Sequence, residues 1–316
     1  MRHQNILVLG GSGFIGRHVV NGLVADGRQV LVPSRRRERA RELILLPTCQ
    51  VVEANIHDDP TLGRLVRSQD AVINLVGILH GTQDEFDRAH ALLTRRVLAL
   101  CGRLRVRRLL HVSALGADIS GPSMYLRSKG EAEKAIKLTA LDWTIFRPSV
   151  VFGPEDKFLN LFARLARFVP VLPIGGANAK FQPVWVADVA AAIANSVDRA
   201  ATIGRTYELC GPKVYTLRQL VQFAARAAGH PRPVIALPEV LARLQAWLME
   251  FKPGGKLLSR DNLDSMRRDS VASQSPYTPA PELGIGATPM EPEAMLYLAG
   301  RHPRSRFSAL RTQARR

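Results

Sequence analysis

Gly10-Gly-Ser-Gly13-Phe-Ile-Gly16 follows the apolar run Ile6-Leu-Val-Leu9 and opens an amphipathic stretch that runs to Ala25. That placement decides the fold. Gly10 permits a tight turn after a strand. Gly13 lets phosphate oxygens approach the backbone with no Cβ in the way, and Gly16 lets a helix pack closely on the strand. The N-terminus of that helix then offers free N–H groups and a positive dipole to a pyrophosphate. Glycines alone say little, but a strand before them and a helix after them give the context a dinucleotide site requires.

Working outward from this turn, short β runs alternate with helical stretches, the pattern of a parallel sheet with crossover helices. Strands are expected at 5–9, 29–33, 51–54, 71–76, 108–113 and 143–146. Helices are expected at 14–25, 86–101 and 123–138. Beyond Gly153 a helix at 157–168 places Phe158, Leu161, Phe162, Leu165 and Phe168 on one face. A loop rich in Pro and Gly follows, then a strand and helix at 184–197, a strand at 205–210 and a helix at 216–228. The segment 239–251 sets Val240, Leu241, Leu244, Trp247, Leu248 and Phe251 at helical spacing. Its polar side is mixed in sign (Glu239, Arg243, Glu250), which favours a packed cap helix over a membrane-surface helix with a basic face. From 252 to 293 Pro and Gly are dense, and irregular connections around short helices are expected. No internal repeat is visible.

The expected fold class is α/β: a Rossmann-type doubly wound parallel sheet over 1–152, completed by 184–212. A smaller α-rich C-terminal cap or substrate lobe would comprise 153–183 and 213–300. The last stretch, 301–316, holds six Arg and no acid and reads as a disordered basic tail.

Composition narrows the function classes. The 316 residues are 46% hydrophobic, which is enough for a sizeable core. No apolar run is long enough to cross a membrane, and the apolar run near the start is too short for a signal-peptide core. Cys49, Cys101 and Cys210 form no CxxC pair and the histidines show no metal-ligand spacing, so no metal is expected and a reducing, cytoplasmic setting fits. The net charge of +17 allows attraction to anionic partners. Its Arg residues are spread along the chain with few aromatics between them, which speaks against nucleic acid. The basic tail is the place for contact with a protein complex or with the inner face of a membrane.

The end of the second strand selects the nucleotide. An acid there would bind the ribose 2′-hydroxyl. Here the sequence is Val30-Leu-Val-Pro-Ser34-Arg35-Arg36-Arg37, and Arg35 can pair with a 2′-phosphate while Ser34 adds a hydroxyl. NADP(H) is expected over NAD(H); the alternative is that the Arg cluster only decorates the following segment. Tyr125-Leu-Arg-Ser-Lys129 puts a phenol and an ammonium on one helix face. Such a cation, with the charge of a nicotinamide ring, would lower the phenol pKa and let Tyr125 exchange a proton with a carbonyl/alcohol pair.

These stretches occur in a familiar order with Val72-Ile-Asn-Leu-Val-Gly77, His111-Val-Ser-Ala-Leu-Gly-Ala117, Phe146-Arg-Pro-Ser-Val-Val-Phe-Gly153 and Gln182-Pro-Val-Trp-Val-Ala-Asp188. The chain resembles the extended or atypical short-chain dehydrogenases/reductases over about residues 4–230. More narrowly, Tyr125–Lys129, Gly153-Pro-Glu-Asp-Lys-Phe-Leu-Asn160 and Gln182-Pro-Val resemble the group of the NADPH-binding accessory subunit of mitochondrial complex I and its bacterial relatives. The resemblance implies that Gly10, Ser12, Gly13, Phe14, Ile15 and Gly16 hold the pyrophosphate, and that Ser34 and Arg35 hold the adenosine ribose. It implies that Asn55 and Ile56 flank adenine, and that Val76 and Gly77 line the cofactor. Pro148 and Val151 would stand near the nicotinamide, and Lys129 would hold its ribose.

One departure matters. The family's strand five usually ends in Ser followed by Ser or Thr, and the second hydroxyl polarises the substrate carbonyl. Here the pair is Ser113-Ala114, with Ser113 one position early and expected to face the cofactor instead. Two functions therefore stand open. One is an NADP(H)-dependent oxidoreductase or epimerase-type enzyme using Tyr125, Lys129 and Ser113 on an apolar, lipid- or quinone-like small molecule. The other is a non-catalytic NADPH-binding structural or assembly protein of a respiratory or membrane-associated complex.

Overall fold

Alternate residues of strand β1 (Asn5–Leu9) point to opposite faces of a sheet: Ile6 and Val8 enter one core, Leu7 and Leu9 another, and all four are fully buried. A strand covered on both sides is the signature of a parallel sheet between helical layers. A computed structural model describes residues 2–250 and 259–299. After β1 come α1 (Phe14–Ala25), β2 (Gln29–Ser34), β3 (Cys49–Glu53), α2 (Asp59–Val66) and β4 (Ala71–Asn74). Helix α3 (Gln83–Phe86) passes through a π-helical turn at Asp87–Leu92 into α4 (Leu93–Leu104). Then follow β5 (Arg108–Val112), α5 (Met124–Lys137) and β6 (Asp142–Pro148).

The rest of the chain is built of shorter pieces. They are β7 (Val151–Phe152), α6 (Leu159–Phe168), β8 (Leu172–Ile174), β9 (Lys180–Phe181), β10 (Val184–Trp185) and α7 (Val186–Ser196). Next come β11 (Arg205–Leu209), β12 (Tyr215–Thr216), α8 (Leu217–Ala227), β13 (Val234–Ala236), α9 (Glu239–Glu250), α10 (Arg260–Ser265) and α11 (Met290–Leu298).

Seven strands form one parallel sheet in the order β11-β6-β5-β4-β1-β2-β3. The order reverses between β1 and β4, where a doubly wound sheet opens a crevice beyond its strand ends. Helices α1 and α7 cover one face through Val19, Val20, Leu23, Val189 and Ile193. On the other face α2, α4 and α5 contribute Leu62, Leu93, Val97 and Ile136. A third core gathers Phe152, Leu159, Leu172, Leu220, Val221 and Met290 from the shorter elements.

The order of the longer strands and helices agrees with the sequence reading, which missed α2 and the short strands β7, β8, β9, β12 and β13; three further particulars differ. The helix expected at 86–101 begins at Gln83, capped by Thr82 with Glu85 in a capping box, and contains the π turn. In α6 the fully buried side is Leu159, Ala163 and Ala166; Phe158, Phe162 and Leu165 pack at its margin and Phe168 is 79% exposed. Helix α9 is turned inside out relative to the expectation of a packed cap helix. It buries only Ala242 and Ala246, because Gly175 lies so close to Ala242 that only a small side chain fits. Its large apolar residues face outward. Phe251 and the basic tail at 301–316 lie outside the described residues.

One buried charge fastens the sheet to α7. Arg108, 2% exposed on β5, donates from Nε to Val197 O (2.9 Å) and from Nη1 to Asp142 O (2.7 Å). Its Nη2 reaches Ser196 O and Thr202 Oγ1. The carbonyls at the end of α7 thus receive a cation at the negative end of the helix dipole. Burial pulls the guanidinium down to about 10, still protonated at neutral pH. Arg108→Met leaves those acceptors unpaired, and it is expected to lower stability by about 3 kcal/mol. Urea unfolding at pH 7 measures this; a loss below about 1 kcal/mol would contradict the assigned role.

Candidate nucleotide-binding site

The glycine turn is built as a cradle. Gly10 holds φ +80 at the end of β1, and a Cβ there would meet the backbone of Leu75 at 3.1 Å. On Gly16 a Cβ would fall 2.3 Å from the Gly10 carbonyl oxygen, so strand and helix approach as closely as backbones can. Helix α1 starts after Gly13 with no side-chain cap and no acid in its first turn. Its leading N–H groups and positive dipole are left for an anion. Ser12 and Ile15 are half-buried beside the exposed Gly13, and the Phe14 ring lies against Gly153. The residues present thus fit a bound pyrophosphate.

At the ends of β4 and β5 stands the Tyr–Lys pair. Lys129, 3% exposed, donates from Nζ to Val112 O (3.0 Å) and to Val76 O (3.4 Å). A Cβ on Gly77 would lie 3.3 Å from that Nζ, so Val76, Gly77 and Lys129 share one spot. Burial pulls the Lys129 ammonium down to about 8 against the opposing charge of Glu133. Tyr125 is half-buried, with its ring against Phe86 and His90 at centroid distances of 6.1 and 5.6 Å. Its phenol is pushed up to about 12 by burial. Desolvation of the phenolate is the cause in the protein chain by itself; the expected lowering also needs the charge of a bound nicotinamide ring.

Sequence reasoning missed His90, which is 1% exposed in the π turn. Its Nε2 accepts from Ile78 N (3.1 Å), which places the ring proton on Nδ1, facing Ser128 Oγ at 2.8 Å. Ser128 Oγ in turn donates to the Tyr125 carbonyl (2.8 Å). Burial, then the charge of Lys129, hold His90 neutral at about 2. A lone histidine in a helix has no spacing partner to reveal it; the extra residue of the π turn aims it.

Ser113 is buried on the α5 side of β5, beside Glu133. Burial alone would raise the Glu133 carboxyl, but two bonds from Arg147 (2.8 and 2.6 Å) outweigh it and hold it low. At the ends of β2 and β3, Ser34 Oγ donates to Arg36 O (2.8 Å), while Arg35 is exposed at the strand tip. Asn55 accepts from His57 N (3.1 Å), and Ile56 packs on the core. Arg96, Arg88 and Arg35 lie near enough to His57 that, after burial, their charges push its imidazole down. Pro148 is buried at the end of β6 and accepts from Leu115 N (3.0 Å); Val151 is half-buried on β7.

The C-terminal segment clasps this site. Asp261 on α10, 6% exposed, accepts from the N–H groups of Met124 (2.6 Å) and Tyr125 (3.2 Å), a carboxylate at the start of α5. Asn262 Nδ2 donates to Leu79 O beyond β4 (3.2 Å). Asp156 gathers the N–H groups of Phe158 and Leu159 (2.8 and 2.7 Å) and the hydroxyl of Tyr297 (2.7 Å). Gln182 holds Gly211 O and Ala272 N, both at 2.8 Å.

Residues 10–162 match the family model described as NAD(P)H-binding. The mitochondrial NADH dehydrogenase (ubiquinone) 1 alpha subcomplex subunit 9 of Arabidopsis thaliana is 33% identical over 286 residues, covering 85% of this chain and 71% of the relative. This chain belongs to the alpha subcomplex subunit 9 family. A ceramide reductase of Caulobacter vibrioides is 29% identical over 240 residues, covering 74% of each chain. Among solved structures, an NADPH-dependent quinone oxidoreductase of Escherichia coli complexed with NADPH has a TM-score of 0.75 at 20% identity, covering 93% of this chain and 99% of its own. That likeness establishes the short-chain dehydrogenase/reductase type of fold.

In this subunit 9 family member the lysine carries the clearest pH signature. Lys129 is pulled from 10.5 to about 8 on folding. Between those values the unfolded chain holds a proton that the folded chain releases, so the cost of burying the ammonium is full and constant below pH 8 and is relieved as pH rises to 10.5. Thermal unfolding from pH 7 to 10.5 should show the wild type gaining on Lys129→Met; parallel curves would refute the shift.

Proposed function

We propose that this chain binds NADP(H) as a lasting structural ligand and serves a respiratory or membrane-associated assembly rather than catalytic turnover. The observation that carries the reading is at the end of β5. The family's second hydroxyl is replaced by Ala114, and Ser113 is buried beside Glu133. The substrate carbonyl would lack its polarising partner, and the raised phenol of Tyr125 gives its proton up less readily. The subunit 9 relatives support an assembly role.

In this reading the Gly10–Gly16 turn and the start of α1, with Ser12, Phe14 and Ile15, take the pyrophosphate. Exposed Arg35, with Arg88 and Arg96 near it around His57, gives a positive corner suited to a 2′-phosphate, and Ser34 shapes the turn that presents Arg35. Asn55 and Ile56 border the adenine. Val76, Gly77, Lys129, Pro148 and Val151 border the nicotinamide end. Bound NADPH would supply a hydride if a substrate were present.

A second reading is favoured by the Tyr125–Lys129 pair itself and by the ceramide reductase relative: reduction of a carbonyl on an apolar lipid. Tyr125 would donate the proton to the carbonyl oxygen.

Calorimetric titration with NADPH and NADH tests the nucleotide. NADPH should bind at least about tenfold more tightly, about 1.4 kcal/mol, and Arg35→Ala should erase most of the difference. Equal affinities would overturn the assignment of Arg35. With NADPH bound, Tyr125→Phe should melt as the wild type does, and neither protein should oxidise NADPH when offered long-chain keto-lipids. Oxidation abolished by Tyr125→Phe would replace the structural reading with the enzymatic one.

A further inference from the structure

Helix α9 wears its apolar side outward. Val240, Leu241, Leu244, Trp247 and Leu248 are 78%, 50%, 51%, 43% and 58% exposed, while Ala242 and Ala246 on the opposite side are buried. The spacing 240, 241, 244, 247, 248 forms one continuous stripe along a helix. Ile235 on β13, 53% exposed, extends it, since its pairing partner Pro173 accepts a bond from Gln245 of α9. An apolar stripe of this kind on a soluble surface marks a docking site.

We propose that this stripe seats α9 in the interface of an anionic lipid bilayer. Three observations favour lipid over a protein partner. First, no polar side chain interrupts the stripe, whereas protein interfaces carry about one hydrogen bond per 100–200 Å². Secondly, the acids flanking α9 are neutralised. Glu239 pairs with Arg243 (3.2 Å) and Arg267 (2.7 Å), Asp264 with Arg243 (2.8 Å), and Glu250 with Arg260 (3.0 Å). Thirdly, with those acids paired, the sequence beyond α9 and the chain as a whole are basic. Lys252 and Lys256 follow α9 directly in sequence, and the chain as a whole carries +17. Among the described residues no helix is long and apolar enough to cross a membrane, so α9 would lie in the surface rather than span it. Weak apolar insertion and basic attraction are the two signals that together hold a protein on a membrane. The paired acids also answer the objection raised by the mixed polar side of α9.

The geometry gives docking a route to the site. Arg243 joins α9 to Asp264 of α10, and Asp261 of α10 holds the first N–H groups of α5. The proposal is independent of whether the nucleotide is turned over.

Flotation of the full chain with phosphatidylcholine vesicles, with and without phosphatidylglycerol, is the test. The wild type should float with the anionic vesicles only, shift its Trp247 fluorescence to the blue, and release as salt is raised. Leu244→Asp with Leu248→Asp should lower binding at least about tenfold while NADPH titration and melting stay unchanged. Failure of the wild type to float, or equal flotation by the double variant, would overturn the proposal. So would a wild-type dimer that the double variant splits into monomers, since a second copy would then cover the stripe.

Discussion

The contact on which this structure turns is the approach of α1 to the end of β1. A single Cβ on Gly16 would sit 2.3 Å from the Gly10 oxygen. Because that space is empty, α1 leaves the strand at once and lies on the sheet through Val19, Val20 and Leu23. Its bare N-terminus therefore stands at the same edge as the ends of β2, β4, β5 and β6. The parallel order of the strands delivers the candidate dinucleotide-binding residues to that edge.

The C-terminal part of the chain does a different job. The motifs that carry the narrower family likeness lie largely outside the cradle. Asp156 of the Gly153–Asn160 stretch ties α6 to Tyr297 of α11, and Gln182 ties β11's exit to Ala272. Asp188, in the first turn of α7, accepts from both N and Oγ1 of Thr288. These residues are buried or half-buried polar groups whose partners come from 29 to 141 positions away. They bind two regions of the chain to each other, and Asp261 separately holds the first N–H groups of α5.

What was legible in sequence follows from period and local chemistry. The glycine turn, the strand and helix alternation and the Tyr125–Lys129 face are all encoded within a few residues. Ser113 was misplaced by the same local reading: expected to face the cofactor, it is buried beside Glu133 of α5. Periodicity in α9 revealed a stripe but not which side is covered. That was decided by Gly175 and by the small size of Ala242 and Ala246. His90 and Asp261 were hidden for another reason: a π turn aims one, and the other acts across 137 positions. The burial that pushes the Tyr125 phenol up is likewise something a linear sequence does not show.

The third core has a consequence for how this protein comes off the ribosome. Its early members, Phe152, Leu159, Ala163 and Leu172, wait for Met290, Ala294 and Leu298 at the other end of the chain. The sheet, by contrast, is complete once β11 at Arg205–Leu209 has emerged. Synthesis from the N-terminus thus delivers a finished sheet while a patch of apolar surface is still uncovered for some eighty residues of elongation, about 4–16 s at ordinary rates. Nucleotide captured by the early sheet, or a chaperone on the late patch, would act in that interval.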